Sequence, residues 1–176
     1  ILFAQSNLMK IAYNKSAFSS ALDYAKIILE NPSTDEYIKN DAHIITARSA
    51  FALGNEELAK TSYAAVASLG VSNYGAEAQY YAAFFQNKNT DFEASNQSIQ
   101  QLIQQYPSDK KFAAKGLILM AKNYYPLNDA FQATYILENV IKNFSNFEEL
   151  QIEATQLLET YERELSKSNA SIETKR

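Results

Sequence analysis

The chain has no cysteine and no tryptophan, and only four glycines and three prolines among 176 residues. Without cysteine there is no disulfide scaffold, no thiol nucleophile, no iron–sulfur ligand and no Cys-based zinc site. Glycine and proline together reach about a third of their usual share, so a β-sandwich or barrel would lack its turn residues. Three valines are too few for the Val/Ile-rich strands of a doubly wound sheet. No apolar run approaches the ~18 residues that suit a membrane span. The net charge of −4 argues against binding to a nucleic-acid backbone, which calls for a basic surface.

Alanine is the commonest residue, and with leucine, glutamate, lysine and glutamine, all good helix formers, it makes up much of the chain. With 47% hydrophobic and 20% charged residues the chain is an ordinary globular sequence, and the fold class it predicts is all-α. The length allows one domain or one unbroken array of repeats. Position 1 is Ile, and Ile1-Leu2-Phe3-Ala4 already reads as helix. The expectation is therefore an excerpt of a longer or processed polypeptide, with any signal or anchor lying upstream.

Internal repetition organises the sequence. Ala21, Ala59, Ser95 and Ala133 recur at spacings of 38, 36 and 38, each followed by large apolar residues. About twelve positions before each stands a second residue: Met9, Ala47, Ala83 or Ala82, and Ala121. Small residues at these places let two helices of a hairpin approach closely. Ser33-Thr34-Asp35-Glu36, Thr90-Asp91-Phe92-Glu93 and Ser145-Asn146-Phe147-Glu148 carry the capping box that opens a helix. Gly54 and Gly70 stand where a left-handed residue closes one, and Pro32 and Pro107 stop apolar runs. The predicted helices are 1–14, 17–30, 35–53, 55–69, 74–87, 91–105, 109–125, 129–143 and 147–167, with a frayed polar tail over 168–176.

This pattern resembles tetratricopeptide repeats, helix–turn–helix units with small residues at their eighth and twentieth positions and a proline near the end. Asp91-Phe92-Glu93-Ala94-Ser95, Leu102 to Asp109 and Ala113-Ala114 carry the likeness best, and it is most similar to the lengthened repeats of bacterial cell-envelope proteins of this family. The spacing exceeds the family's 34 residues, the aromatic at the fourth position is missing, and Met9 replaces a small residue. The resemblance implies a right-handed α-solenoid over 1–167. Its units are about 1–33, 34–72, 73–108 and 109–144, with 147–167 as a capping helix.

Catalytic chemistry finds little to stand on. His43 is the lone histidine and lacks the further ligands that zinc requires; its repeat position faces the partner helix. No nucleophile elbow, phosphate loop or metalloprotease motif occurs. Glu56-Glu57 and Glu148-Glu149 suit the positive ends of helix dipoles better than a glycosidase pair. The expectation is a non-enzyme without cofactor or metal.

In the family, the fifth, ninth, twelfth and thirteenth positions of each first helix line a concave groove. The resemblance therefore implies a groove with Lys10, Tyr13 and Asn14 from unit one and Arg48 and Phe51 from unit two. Unit three adds Tyr80 and Phe84 in one register, or Gln79, Ala83 and Gln86 in the other; unit four adds Lys122 and Tyr125. Bases at three ninth positions beside aromatics suit a peptide with acidic groups. Twelve tyrosines and ten phenylalanines mostly serve packing, and in Tyr80-Tyr81, Phe84-Phe85 and Tyr124-Tyr125 one ring of each pair is expected inside and the next outside. The charged side of 147–167, from Glu148 and Glu153 to Glu164 and Lys167, is expected to face solvent.

The functional expectation is a protein–protein interaction scaffold, part of a longer repeat protein, binding a protein or peptide and not nucleic acid, with no membrane insertion by this segment. A carbohydrate- or small-ligand-binding module of a cell-surface uptake system is the alternative. The resemblance places it in the bacterial periplasm or at the outer membrane, with the cytoplasm as the alternative, and oligomeric state stays open.

Overall fold

The computed structural model describes residues 2–69 and 73–173, with side chains through Lys167. These residues form an all-α helical repeat: α1 Leu2–Asn14, α2 Phe18–Glu30, α3 Glu36–Ala52, α4 Glu56–Ser68, α5 Gly75–Lys88, α6 Phe92–Gln105, α7 Lys110–Tyr124, α8 Ala130–Asn143 and α9 Glu148–Glu173. Two compact units result, Ile1–Ala82 and Ala83–Arg176. In the first, α1 packs on α2 and α3, α2 on α3, and α3 on α4; in the second, α7 packs on α6, α8 and α9, and α8 on α9.

Local chemistry sets the helix ends. Asp35, Asn55, Asp91, Asp109 and Asp129 each cap a helix by accepting the backbone N–H three residues on, at 2.8–3.3 Å. The caps thus fall later than the capping boxes imply: Asp35 rather than Ser33, and Asp91 rather than Thr90. Thr34 instead donates from its buried hydroxyl to the Ile28 carbonyl at 2.8 Å. α9 opens at Glu148, three residues past Ser145.

The turn between the two helices of each hairpin has one geometry in all four repeats. Ser16, Gly54, Thr90 and Asn128 have φ of 57°, 76°, 61° and 65°. Next to them Ala17, Asn55, Asp91 and Asp129 donate five residues back to Ala12, Ala50, Gln86 and Tyr124, at 2.8–3.0 Å. This is the left-handed closure of a Schellman motif. Only Gly54 meets its backbone demand at no steric cost; Thr90, β-branched, sits there under strain that the surrounding hydrogen bonds hold in place. These four residues repeat at 38, 36 and 38, the spacing of the small residues.

The crossing residues lie where the register demands. Ala21, Ala59, Ser95 and Ala133 are fully buried, as are Met9, Ala47, Ala83 and Ala121. Ala82 is exposed, so Ala83 is the crossing residue of unit three. Around Ala121 and Ala133, the second unit closes a core of Ile118, Leu137, Val140, Leu150, Ala154 and Tyr161. Gly116 lets α7 approach α6 so closely that an added Cβ would lie 3.0 Å from Ile99 Cγ2.

Eight helices end within a residue of expectation. The ninth does not: α9 continues to Glu173, replacing the frayed tail predicted from 168, because no glycine or proline interrupts it. Gly70, expected to close a helix, lies outside the described residues, as do 174–176.

Candidate functional site

The bases expected to line the groove lie on α1, α3 and α7, and each is paired with a carboxylate. Lys10 Nζ is 2.5 Å from Asp41 Oδ2, Arg48 is held by Glu77, and Lys122 Nζ is 2.7 Å from Glu153 Oε1. Each carboxylate belongs to the helix after the next, 31, 29 and 31 residues downstream, at the second repeat position. A ninth-position base and a second-position acid thus tie neighbouring repeats together. Between Phe84 and Lys115, 31 residues apart, the same two positions carry a ring and a cation instead.

Burial grades the three pairs. Asp41 and Glu77 side chains are only 4% and 10% exposed, whereas Glu153 is 42% exposed. Arg48 engages Glu77 through both arms, Nε to Oε1 at 2.8 Å and Nη2 to Oε2 at 2.5 Å, and Tyr63 adds a third donor at 3.2 Å. The hydrogen bond to Glu77 raises the Arg48 pKa, and burial raises that of Tyr63, so guanidinium and phenol both keep their protons. Tyr74 donates to Asp41 Oδ1 at 2.7 Å; burial, then this bond, pushes its pKa up to about 12. The Arg48 guanidinium lies 5.5 Å from the centre of the Tyr74 ring.

Within the first unit these residues frame a cleft of about 270 Å³, lined by Lys10, Tyr13, Asn14, Asp41, Ile44, Ile45, Arg48 and Tyr74. Here α1 and α3 bring together four of the nine residues expected in the groove. The other five are placed differently. Phe51 packs edge-on against Tyr81 at 5.0 Å, and Tyr80 does so at 5.2 Å. Phe84 meets Phe85 at 5.6 Å. Lys122 is with Glu153, and Tyr125 stacks on Tyr161 at 3.9 Å while its hydroxyl donates to Glu164. Tyr125, Asn128, Ala130, Glu164 and Leu165 enclose a smaller hollow of about 200 Å³ in the second unit.

Two expectations about α9 and the rings are corrected here. Glu153 and Glu164 do not simply face solvent, because Lys122 and Tyr125 reach them. Of the paired aromatics only Phe85 is buried; Tyr80, Tyr81, Phe84, Tyr124 and Tyr125 are all intermediate, Tyr80, Tyr81, Phe84 and Tyr125 in contact with another ring and Tyr124 against the apolar core. His43 is half-buried, and desolvation lowers its pKa. Among the described residues no three metal-ligating side chains gather into a group that would hold a metal ion, and no helix is long and apolar enough to cross a membrane.

The residues that sequence reasoning missed are Asp41, Glu77 and Tyr74. For the two acids a signal existed: both stand at the second position of a repeat whose predecessor carries a base at its ninth. Asn123 was missed too. Inside the second unit its amide nitrogen donates to Ser95 Oγ and Asn96 Oδ1, both at 2.8 Å, and its oxygen accepts from Asn87 at 2.6 Å.

Comparison with known proteins bears on one stretch. Residues 77–109 match the family model described as tetratricopeptide repeat, so this segment, which includes Glu77, is similar to such a repeat. No curated protein matches the chain. Tetratricopeptide repeats commonly serve as protein-interaction scaffolds and are generally not enzymes.

Proposed function

We propose that this chain is a non-enzymatic scaffold that receives a protein or peptide segment in the cleft of its first unit. The observation that supports the reading is the coincidence of a 270 Å³ hollow with Lys10, Tyr13, Asn14 and Arg48, the inner positions of the first two repeats. The hollow's chemistry refines the partner. Lys10 and Arg48 are already matched by Asp41 and Glu77, so an arriving acid would compete with buried carboxylates rather than meet open cations. The half-buried Tyr13 ring and the exposed Asn14 amide are better placed to meet a ligand. An uncharged, extended segment fits: its backbone bonds to the Asn14 amide and an apolar side chain covers Tyr13.

Selection of a random linear-peptide library on the intact chain tests this. The expected result is enriched neutral peptides whose affinity falls about ten-fold or more in both Asn14→Ala and Tyr13→Ala, with the melting temperature of Asn14→Ala unchanged. Failure to enrich, or peptides indifferent to both substitutions, would overturn it.

A further inference from the structure

The solvent-exposed face of α8 carries two large rings. Phe131 and Tyr135 are 76% and 54% exposed. Their rings are tilted by only 12° from parallel, with centres 6.4 Å apart. Over the next two turns of the same face stand Glu138 and Lys142, both exposed. Among the described residues neither has an ion-pair partner, and the Tyr135 hydroxyl makes no hydrogen bond.

The repeat register shows that the fold does not require this pair. The positions of Phe131 and Tyr135 hold Ser19 and Asp23 in α2, Glu57 and Thr61 in α4, and Glu93 and Gln97 in α6, all of them exposed. α2 and α6 are each packed by the first helix of the next hairpin, as α8 is by α9. The face therefore stays open where the array continues, and further repeats at either end would not cover it. Single exposed rings are ordinary, but a ring pair where the other repeats are polar marks a contact surface.

We infer that this face of α8 pairs with the same face of a second copy, antiparallel about a two-fold axis. The four residues are complementary to themselves under that operation. An axis through the midpoint between Tyr135 and Glu138 sets Phe131 against the partner's Lys142, and Tyr135 against the partner's Glu138. An ammonium then meets a ring face and an unbonded phenol meets an unpaired carboxylate, each contact being made twice. Four side chains a copy fall short of the roughly 20–30 residues a side of a standard interface, so the dimer is weak and forms as concentration rises. The inference does not rest on the cleft of the first unit.

Sedimentation equilibrium of the intact chain, from about 10 μM to about 1 mM, reads the association. A monomer–dimer equilibrium is expected. Phe131→Lys, which sets cation against cation, and Tyr135→Ala should each weaken it about ten-fold or more, while Asn14→Ala leaves it unchanged. All three positions are exposed, so helical circular dichroism and melting temperature should hold. Adding Lys142→Glu to Phe131→Lys should recover about three-fold or more of the lost affinity, because the axis places the new acid against the new base. Within one copy the two positions lie about 16 Å apart along the helix and cannot pair. A chain that stays monomeric at about 1 mM, a dimer indifferent to Phe131→Lys and Tyr135→Ala, or no recovery in the double variant would each overturn the proposal.

Discussion

Arg48-Ser49 in α3 and Lys122-Asn123 in α7 occupy the same two repeat positions and hold their surroundings in opposite ways. In α3 the ion pair is the strong element, two-armed and reinforced by Tyr63, while Ser49 is fully buried and its hydroxyl has no hydrogen-bond partner among the described residues. In α7 the ion pair is open, with Lys122 and Glu153 side chains 40% and 42% exposed, while Asn123, fully buried, uses both amide hydrogens and its oxygen. Repeat position decides where a side chain points. The helices packed against it decide what that side chain contributes.

The largest way to break the comparison is Asn123→Ala. It removes three hydrogen bonds, strands the Asn96 amide in a site only 7% exposed, and opens a void beside Ser95. Each buried group left without a partner costs about 1–3 kcal/mol, so a loss of about 3 kcal/mol in unfolding free energy is expected by chemical denaturation. A loss below about 1 kcal/mol would mean that the network contributes no more than an ordinary surface bond.

Next comes the ion pair. Arg48→Met keeps the apolar stem but leaves Glu77 charged and nearly buried, with the Tyr63 hydroxyl as a remaining donor. Breaking a buried pair costs about 3–5 kcal/mol; Arg48 is 31% exposed, which reduces the expectation to about 2 kcal/mol. Adding Glu77→Gln should recover much of it, since the cost lies in the stranded charge. The same double-mutant cycle at Lys122 and Glu153 should give less than about 0.5 kcal/mol and vanish with salt, as exposed pairs do. Equal coupling energies in the two cycles would erase the distinction between α3 and α7.

How much of this was legible in the sequence follows from the same residues. Helix ends were readable because caps and left-handed closures are local: Asp35, Asn55, Asp91 and Asp129 act within a single turn. The register of unit three was open between Ala82 and Ala83, since both are alanine, and only packing against Ser95 separates them. Lys10, Arg48 and Lys122 were read as open charges, because their partners lie about 30 residues on in another helix. Asn123, two residues past the apolar run from Gly116 to Ala121, gave no sign of its role. That role depends on Ser95, Asn96 and Asn87, which share no local pattern with it.

The smallest expected effect lies at the position that sharpens the comparison most. Ser49 is buried between α3 and its neighbours, in the place where Asn123 makes three bonds, and its hydroxyl makes none among the described residues. A buried hydroxyl without a partner keeps its desolvation penalty and returns nothing, and serine is a poorer helix former than alanine. Ser49→Ala removes one oxygen, leaves almost no void, and suits the interior of α3. Stability should therefore rise, by about 0.5–1 kcal/mol, seen as a higher denaturation midpoint with an unchanged slope. Alanine at Asn123 and alanine at Ser49 would then act with opposite signs at one repeat position. A loss above about 0.5 kcal/mol from Ser49→Ala would show that the hydroxyl is bonded in solution, and the contrast between α3 and α7 would reduce to their ion pairs.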